Sequence, residues 1–208
     1  MIIDAIVLAG GRARRLDGTS KPGLIIGGRS LLDRALEAAA FAAPRTTVVV
    51  GPVAAPPGVL TTVEVPPFGG PVAGIAAGLA LLPAGESWVL LLASDVPRAA
   101  EVVPLLLEEL ARVDERVEGV HLTDRDGRAQ WLLGCYRRSA LDASVALLGE
   151  VRDASVGRLL GGLTLTSVVD VEGIGDDVDT WQDLEQVRAQ AGSERTRQRT
   201  HLGSGGPQ

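Results

Sequence analysis

The sequence predicts an α/β sandwich built on a mostly parallel β-sheet. Short, fully apolar runs alternate with segments of helical periodicity, which is the pattern of strands that are covered by helices on both faces. The composition agrees, because 46% of the residues are hydrophobic but only 3% are aromatic, so small aliphatic side chains must fill the interior. With 208 residues, the chain fits one domain. A domain of this size buries roughly 70% of the surface that its unfolded form would expose.

The first half of the chain is predicted to alternate strands and helices. Ser30 and Asp33 form a capping box that opens the first helix, and Pro71 has the first-turn position that proline favours. The strongest strand prediction is the apolar run at residues 88–93. The predicted strands cover residues 2–8, 46–50, 60–65 and 88–93, and the predicted helices cover residues 30–43, 71–82 and 99–112.

The second half follows a different order. Two strands joined by a tight turn around Asp126 and Gly127 come first. Ser139 and Thr180 are each followed three residues later by an aspartate, and both are predicted to cap helices. The predicted elements are strands at residues 120–123, 131–136 and 163–169 and helices that begin at residues 139, 154 and 180. Residues 192–208 lack an apolar period and predict a disordered tail, which leaves residues 1–191 as the folded domain.

Charge, cysteine usage and the amino-terminal residues exclude several classes of protein. The net charge of −6 gives no support for binding to nucleic acid or to an anionic membrane. Cys135 is the one cysteine, which excludes an internal disulfide. The first residues lack the basic flank and the length of a signal peptide, and no apolar run approaches the length of a membrane span. We therefore expect a soluble, cytoplasmic protein.

Candidate functional residues are expected at one edge of the predicted sheet. In open α/β sheets, ligands sit beyond the carboxyl ends of the strands. This rule places the chemistry in four segments that follow strands, at residues 9–29, 66–74, 93–97 and 170–179.

The first of these segments concentrates positive charge. Gly10 and Gly11 come directly after a buried strand, where they let the backbone turn and present N–H groups to an anion. Residues 12–29 hold four arginines and one lysine against a single aspartate. That lysine, Lys21, is the only one in the chain, and its ammonium is a compact charge suited to a phosphate oxygen. The spacing fits neither a Gly-x-Gly-x-x-Gly motif nor a P-loop, so we predict a phosphate site of another kind, with a solvated Arg-rich turn as the alternative.

Carboxylates follow two of the predicted strands. Asp95 stands after the apolar strand at residues 88–93, where its charge is costly unless something stabilises it. A divalent cation would do so, because Mg²⁺ typically binds one or two carboxylates plus substrate phosphates. The alternative is that Asp95 caps the next helix. Asp179, or Asp177, is a candidate for a second ligand to the cation. The alternative is that these aspartates only interact with the N-terminus of the following helix.

Small residues characterise the segment that leads into the helix at Pro71. Gly70 and Gly74 allow a flat group, such as a nucleobase, to approach the backbone closely. A tightly packed helix start is the alternative interpretation of the same glycines.

Together, these motifs resemble the molybdenum cofactor guanylyltransferase family, within the wider group of nucleotidyltransferases. The resemblance covers residues 3–187. Its specific part is Leu-Ala-Gly-Gly-x-x-x-Arg-Leu with a downstream lysine, and Gly-Pro-Val-Ala-Gly, Ser-Asp-Val-Pro and Asp-Val-Asp-Thr follow in the expected order. The fold that it implies is a three-layer, Rossmann-like sandwich of nucleotidyltransferase type.

The resemblance also implies a reaction and the residues that serve it. The reaction is Mg²⁺-dependent transfer of a nucleoside monophosphate, GMP from GTP, to a phosphorylated acceptor, molybdopterin, with release of pyrophosphate. Residues implied to contact the nucleotide are Leu8, Ala9 and Gly10, with Gly11, Gly70 and Gly74 as further candidates. Arg15 and Lys21 would hold the triphosphate, and Asp95 would bind Mg²⁺ with Asp179 as the preferred second ligand.

Four positions depart from the guanylyltransferase pattern. Pro22 follows the lysine directly, Gly51 stands where an asparagine is expected, and Trp131 replaces a common proline. The Asp-Val-Asp motif at residues 177–179 replaces Asn-x-Asn and is similar to relatives that use cytidine or sugar nucleotides. A cytidylyl- or sugar-phosphate nucleotidyltransferase is therefore an alternative, as is a non-catalytic nucleotide-binding domain.

Overall fold

The computed structural model describes residues 1–10 and 21–189. Its central element is a seven-stranded sheet in the order β5-β4-β1-β6-β8-β7-β9. The strands of this sheet are β1 (Ile3–Leu8), β4 (Thr47–Val50), β5 (Leu60–Thr62), β6 (Trp88–Ala93), β7 (Gly119–Thr123), β8 (Ala129–Arg137) and β9 (Leu165–Val169). A separate antiparallel pair consists of β2 (Ile25–Ile26) and β3 (Arg29–Ser30), and it follows a single 3-10 turn at Lys21–Gly23.

Helices connect most of these strands. They are α1 (Leu31–Ala40), α2 (Pro71–Leu81), α3 (Ala99–Leu110), α4 (Arg138–Leu148) and α5 (Val156–Leu160). A further helical segment covers residues 181–189. In the part of the chain that the structure describes, no helix combines the length and the apolar character needed to cross a membrane.

Six of the seven strands in the large sheet point the same way. Strand β1 pairs in parallel with β4 and β6, β4 with β5, and β7 with β9. Strand β8 runs antiparallel to both β6 and β7. The carboxyl ends of six strands and the amino end of β8 therefore meet at one edge of the sheet. The prediction of a mostly parallel sheet is confirmed.

Helices cover the sheet on both faces, which makes three layers. Strand β6 shows the arrangement most clearly, because Leu90 and Leu92 pack into one hydrophobic cluster and Val89 and Leu91 into the other, all fully buried. Side chains from α1 and α3 complete the first cluster, whereas α2, α4 and α5 complete the second. A strand that is buried on both faces must be apolar at every position, which is why this run was the clearest signal in the sequence.

Two of the predicted capping boxes are present. The Ser30 hydroxyl accepts the N–H of Asp33 at 3.0 Å, and the Asp33 carboxylate accepts the N–H of Ser30 at 3.2 Å. Thr180 and Asp183 form the same reciprocal pair, at 3.2 and 2.7 Å, at the start of the helical segment 181–189. Local sequence therefore sets where both helices begin.

The prediction for Ser139 is wrong. Strand β8 continues through Arg137 and passes directly into α4, so Arg137 is the N-cap residue and makes no side-chain capping bond. Ser139 already lies in the first helical turn. The predicted tail at residues 192–208 lies outside the described residues.

Candidate active site

A cavity of about 730 Å³ opens at the edge of the sheet where the carboxyl ends of the parallel strands meet. All four segments that were predicted to carry the chemistry contribute to its wall, through Gly10, Lys21, Gly70, Asp95 and Asp177. Cavities of this size enclose ligands as large as cofactors and drugs. The cavity therefore lies at the edge of the sheet where the sequence predicted ligand binding, beyond the carboxyl ends of the strands.

One wall of the cavity is built from small residues. Gly70 is the N-cap of α2 and has a φ of 88°, a left-handed conformation that favours glycine. At Gly74, a Cβ atom would lie 3.2 Å from Cδ2 of Leu8 and 3.5 Å from Cγ1 of Val50. Glycine at this position therefore lets α2 lie directly on the ends of β1 and β4, so tight packing is part of its role, and Gly74 also lines the cavity.

Ala9 and Gly51 hold the end of β1 against the end of β4. The N–H of Ala9 donates to the carbonyl of Val50 at 2.8 Å, and the Ala9 side chain is buried rather than facing the cavity. At Gly51, whose φ is 150°, a Cβ atom would lie 2.5 Å from the carbonyl oxygen of Ala9. A side chain cannot fit there, which explains why this chain has glycine where the family resemblance led us to expect asparagine.

Lys21 joins the first segment to the carboxylates of the third and fourth. Its Nζ atom donates to Oδ2 of Asp95 at 3.3 Å and to the carboxylate of Asp179. Burial alone would lower the pKa of Lys21, but the hydrogen bond to Asp179 and the charges of Asp95 and Asp179 outweigh it and raise the pKa above its ordinary value. Lys21 therefore stays protonated across the physiological pH range.

Three carboxylates converge around this ammonium. Asp95, Asp177 and Asp179 each offer an oxygen, and these oxygens all lie within 4.8 Å of one another. The pKa of Asp177 is raised, first because neighbouring protein atoms displace water from its carboxyl group and then because of the negative charges of Asp95 and Asp179. Asp177 and Asp179 both belong to the cluster, although the sequence left open which of them would join Asp95.

Backbone contacts fix these carboxylates relative to one another. The N–H of Val178 donates to the main-chain carbonyl of Asp95 at 2.9 Å, which links the segment after β6 to the segment after β9. The Asp183 carboxylate accepts the N–H of Asp179 at 3.0 Å. Helix α3 has Arg98 as its N-cap, so Asp95 does not cap it and the alternative role suggested for Asp95 is excluded.

The structure places most of the predicted site residues at this cavity. Leu8, Gly10, Lys21, Gly70, Gly74 and Asp95 line it, and Asp179 contacts Lys21 beside it. Gly11 and Arg15 lie outside the described residues, together with the other arginines of residues 12–15.

Sequence reasoning missed a second set of cavity residues. The amino-terminal part of β8 contributes Trp131, whose ring centroid lies 4.6 Å from that of His121, and the connection between α4 and α5 contributes Arg152 and Asp153. Glu64, after β5, lines the cavity as well. The predicted hairpin contained the signal for Trp131, because the second strand of a hairpin begins at the edge where the first one ends.

The fold is of the α/β nucleotidyltransferase type. Residues 5–164 match the model of a family described as the MobA-like NTP transferase domain. The chain therefore belongs to the MobA-like NTP transferase family, as the sequence motifs indicated.

One curated relative supports the same assignment. The chain is 35% identical over 123 residues to a molybdenum cofactor guanylyltransferase from Nitrobacter hamburgensis. This match covers 54% of the chain and 57% of the relative, so the chain spans somewhat more than half the length of the curated relative.

Solved structures share the fold across almost the whole chain. Rv0371c of Mycobacterium tuberculosis in complex with manganese gives a TM-score of 0.69 at 20% identity, covering 91% of this chain and 98% of that one. The molybdopterin-guanine dinucleotide biosynthesis protein A of Archaeoglobus fulgidus gives 0.68 at 22%, covering 91% and 99%. The 2-C-methyl-D-erythritol 4-phosphate cytidylyltransferase of Thermus thermophilus gives 0.63 at 19%, covering 92% and 99%. At these identities the likeness establishes the fold alone.

Proposed function

We propose that this protein transfers GMP from GTP to a phosphorylated acceptor, molybdopterin, and releases pyrophosphate. The observation that carries the proposal is the convergence of one ammonium and three carboxylates at the wall of a glycine-lined cavity. A triphosphate needs cationic partners, and a nucleobase needs a flat surface nearby. The activity named for the Nitrobacter relative, guanylyl transfer in molybdenum cofactor synthesis, supports the choice of base and acceptor. A cytoplasmic location, where nucleoside triphosphates are abundant, is part of the same proposal.

The carboxylate cluster fits a divalent cation. Its donors are all carboxylate oxygens, the hard ligands that Mg²⁺ and Mn²⁺ prefer over nitrogen or sulfur. Asp95 and Asp179 would hold the cation, with Asp177 as a third ligand or as an acceptor for a bound water. The manganese complex of the M. tuberculosis protein, which shares this fold, supports the proposal of a divalent site. When bound, the cation would neutralise phosphate charge and orient the reacting oxygens.

The residues of the chain would act by positioning and charge. In the proposed reaction, a phosphate oxygen of the acceptor forms a bond to the α-phosphorus of GTP, and the bond from that phosphorus to the pyrophosphate oxygen breaks. Lys21, with its raised pKa, would stay charged and neutralise the departing pyrophosphate. Arg15 is assigned the same role through the family resemblance. The bare backbone at Gly10 and Gly70 would offer N–H groups to the nucleotide.

A covalent enzyme intermediate has no support in the described residues. Cys135 is fully buried in the core, and burial raises the pKa of its thiol far above the physiological range. His121 is buried, with Nδ1 at 2.9 Å from the carbonyl oxygen of Leu122, and its ring packs at a tilt of 47° against that of Trp131. Direct displacement therefore fits the site better than a two-step transfer through either side chain.

Glu64 favours guanine within the proposed function. Glu64 lines the cavity, and its Oε1 atom accepts the N–H of Phe68 at 2.9 Å. The Watson–Crick edge of guanine offers two adjacent donors, N1–H and the N2 amino group, which together match one carboxylate. Cytosine offers a single amino group beside an acceptor nitrogen, which a carboxylate repels.

The experiment compares nucleotides with and without this carboxylate. We expect GTP with Mg²⁺ to protect the protein against thermal unfolding more strongly than CTP, and Glu64→Gln to weaken GTP binding at least ~10-fold, by the scale of a lost bidentate base contact. Glu86→Gln, an exposed change at the opposite edge of the sheet, is the matched control and should leave both affinities unchanged. Pyrophosphate release with molybdopterin is then measured with each nucleotide. Stronger protection and faster release with CTP would refute the guanylyl assignment.

One observation favours a second candidate. The Asp-Val-Asp motif at residues 177–179 is similar to relatives that use cytidine nucleotides, and the T. thermophilus cytidylyltransferase shares the fold. A cytidylyltransferase acting on another phosphorylated acceptor is therefore the alternative that the CTP arm of the same experiment would identify.

A further inference from the structure

Asp170 is a buried carboxylate that lies outside the cluster around Lys21. It is the first residue after β9 and is only 5% exposed. Its Oδ1 atom accepts the N–H of Glu172 at 3.0 Å, and its Oδ2 atom accepts the N–H of Gly175 at 2.8 Å. Both oxygens thus bind the backbone of the loop that leads to Asp177 and Asp179.

The charge of Asp170 is satisfied almost entirely by that loop. Burial alone would raise the pKa of Asp170, but hydrogen bonds from the backbone N–H groups of residues 172–175 outweigh burial and hold the pKa below its ordinary value. A carboxylate that accepts several backbone donors fixes the path of the chain around it, because each donor must point at the same charge.

The loop has little freedom to take another path. At Gly175, a Cβ atom would collide with Cδ2 of Leu122 and lie 3.1 Å from Cδ1 of Leu133. Three residues later, Val178 is fully buried, and its N–H donates to the main-chain carbonyl of Asp95. The chain is thus held at Gly175 by Asp170 and at Val178 by Asp95, and Asp177 and Asp179 flank the second of these contacts.

We propose that Asp170 is a positioning residue, which fixes the loop so that the carboxylates of Asp177 and Asp179 lie beside that of Asp95. Its importance for catalysis rests on the function proposed above, but its effect on the loop does not. Asp170 would touch neither the nucleotide nor the cation. It would act as residues behind metal ligands commonly do, where a substitution costs roughly 10- to 100-fold in metal affinity.

The test replaces Asp170 by asparagine in the full chain. Asp170→Asn keeps the size of the side chain but replaces one acceptor oxygen with a donor that repels a backbone N–H. Asp176→Asn is the matched control, because it removes the same charge from an exposed carboxylate of the same loop. Two quantities are measured: the hydrogen-exchange rate of the Val178 amide and the dissociation constant for Mn²⁺ without nucleotide. Exchange at Leu91, in the central strand β6, reports global unfolding separately.

We expect Asp170→Asn to speed exchange at Val178 at least ~10-fold beyond any change at Leu91, and to weaken Mn²⁺ binding at least ~10-fold. Asp176→Asn should stay within about threefold of the wild type in both. Asp170→Ser, which removes both carboxylate oxygens, should change both quantities in the same direction as Asp170→Asn, and it provides a second variant if Asp170→Asn impairs folding. In active protein, kcat should fall while KM for the nucleotide changes less.

Two outcomes would separate this proposal from the proposed function. Unchanged exchange at Val178 in Asp170→Asn, with faster exchange confined to residues 172–175, would overturn the positioning role and leave Asp170 as a local turn residue. If the wild type binds no Mn²⁺ but exchange at Val178 is still faster in Asp170→Asn, the positioning role is supported and the metal site is refuted instead.

Discussion

Lys21 is expected to oppose the binding of a divalent cation on its own. Its ammonium contacts the carboxylates of Asp95 and Asp179, two of the three that would bind the cation. A cation that enters this cluster must displace the ammonium or accept its repulsion. Replacing Lys21 by methionine, which keeps much of the apolar stem but removes the charge, should therefore tighten cation binding while it slows the reaction.

The contacts set the size of the effect. The side chains of Lys21, Asp95 and Asp179 are 21%, 25% and 41% exposed, so solvent screens both ion pairs in part. Contacts of this kind are each worth about 0.2–1 kcal/mol, and two of them amount to about 0.4–2 kcal/mol. With 1.4 kcal/mol for each factor of ten, the dissociation constant for Mn²⁺ should fall by about 2- to 30-fold in Lys21→Met. Turnover should fall at least ~100-fold, because the charge on the pyrophosphate loses its partner.

Mn²⁺ binding is measured by titrating Mn²⁺ into the protein without nucleotide and detecting it by calorimetry or through the signal of free Mn²⁺. Turnover is measured separately as pyrophosphate release. Lys21→Arg keeps the charge and should bind Mn²⁺ as weakly as the wild type. Arg152→Met removes a cation from the same cavity that pairs with Asp153 instead of the cluster, so it should leave Mn²⁺ affinity within about twofold. Asp95→Asn should lose both cation binding and turnover. Unchanged or weaker Mn²⁺ binding in Lys21→Met would refute the competition.

Two further predictions concern stability. Asp4 is fully buried and accepts two hydrogen bonds from Arg45, at 3.0 and 2.7 Å. Arg45→Met leaves this carboxylate buried without its partner, so it should lower the free energy of unfolding in urea clearly. Arg112→Met breaks an exposed pair with Glu108 and should lower it much less. Equal losses in the two variants would show that burial of Asp4 is not what matters. Because the pKa of Asp170 is lower in the folded protein than its ordinary value near 3.9, its ionised form stabilises the fold above that pH, and this stabilisation is lost as the pH falls through the folded pKa. The stability difference between wild type and Asp170→Asn should therefore be largest near pH 7 and shrink below about pH 4 in unfolding curves, and a difference that grows on acidification would contradict this reasoning.

Local features of the sequence predicted most of the elements correctly. The apolar run at residues 88–93 is typical of a strand that is buried on both faces, and the structure has β6 there. The pairs Ser30 with Asp33 and Thr180 with Asp183 begin helices because capping depends on residues three positions apart. The error at Ser139 has the same origin. A capping pattern was present, but whether it is used depends on where the preceding strand ends, and that is decided by pairing within the sheet.

Part of the site followed from the sequence for an equally local reason. A carboxylate or a glycine-rich turn directly after an apolar strand must lie at the carboxyl edge of a parallel sheet, whatever the order of the strands. This reasoning selected Lys21, Asp95 and the segments at residues 66–74 and 170–179. It did not select Trp131, although the predicted hairpin already begins its second strand at this edge. It could not select Arg152, because the place of Arg152 at the cavity depends on the packing of α4 and α5.

By itself, the sequence determined the type and order of most of the elements, the edge of the sheet where the cavity lies, and the family. Only the tertiary structure decided that Lys21 contacts Asp95 and Asp179, which lie 74 and 158 positions away along the chain. It also decided that Asp177 joins the cluster, that Gly51 has no space for a side chain, and that Asp170 binds the loop behind the carboxylates. Periodicity and capping depend on neighbouring residues and can be deduced from the sequence. Contacts between distant segments depend on strand order and on the path of loops, which are fixed only when the whole chain packs.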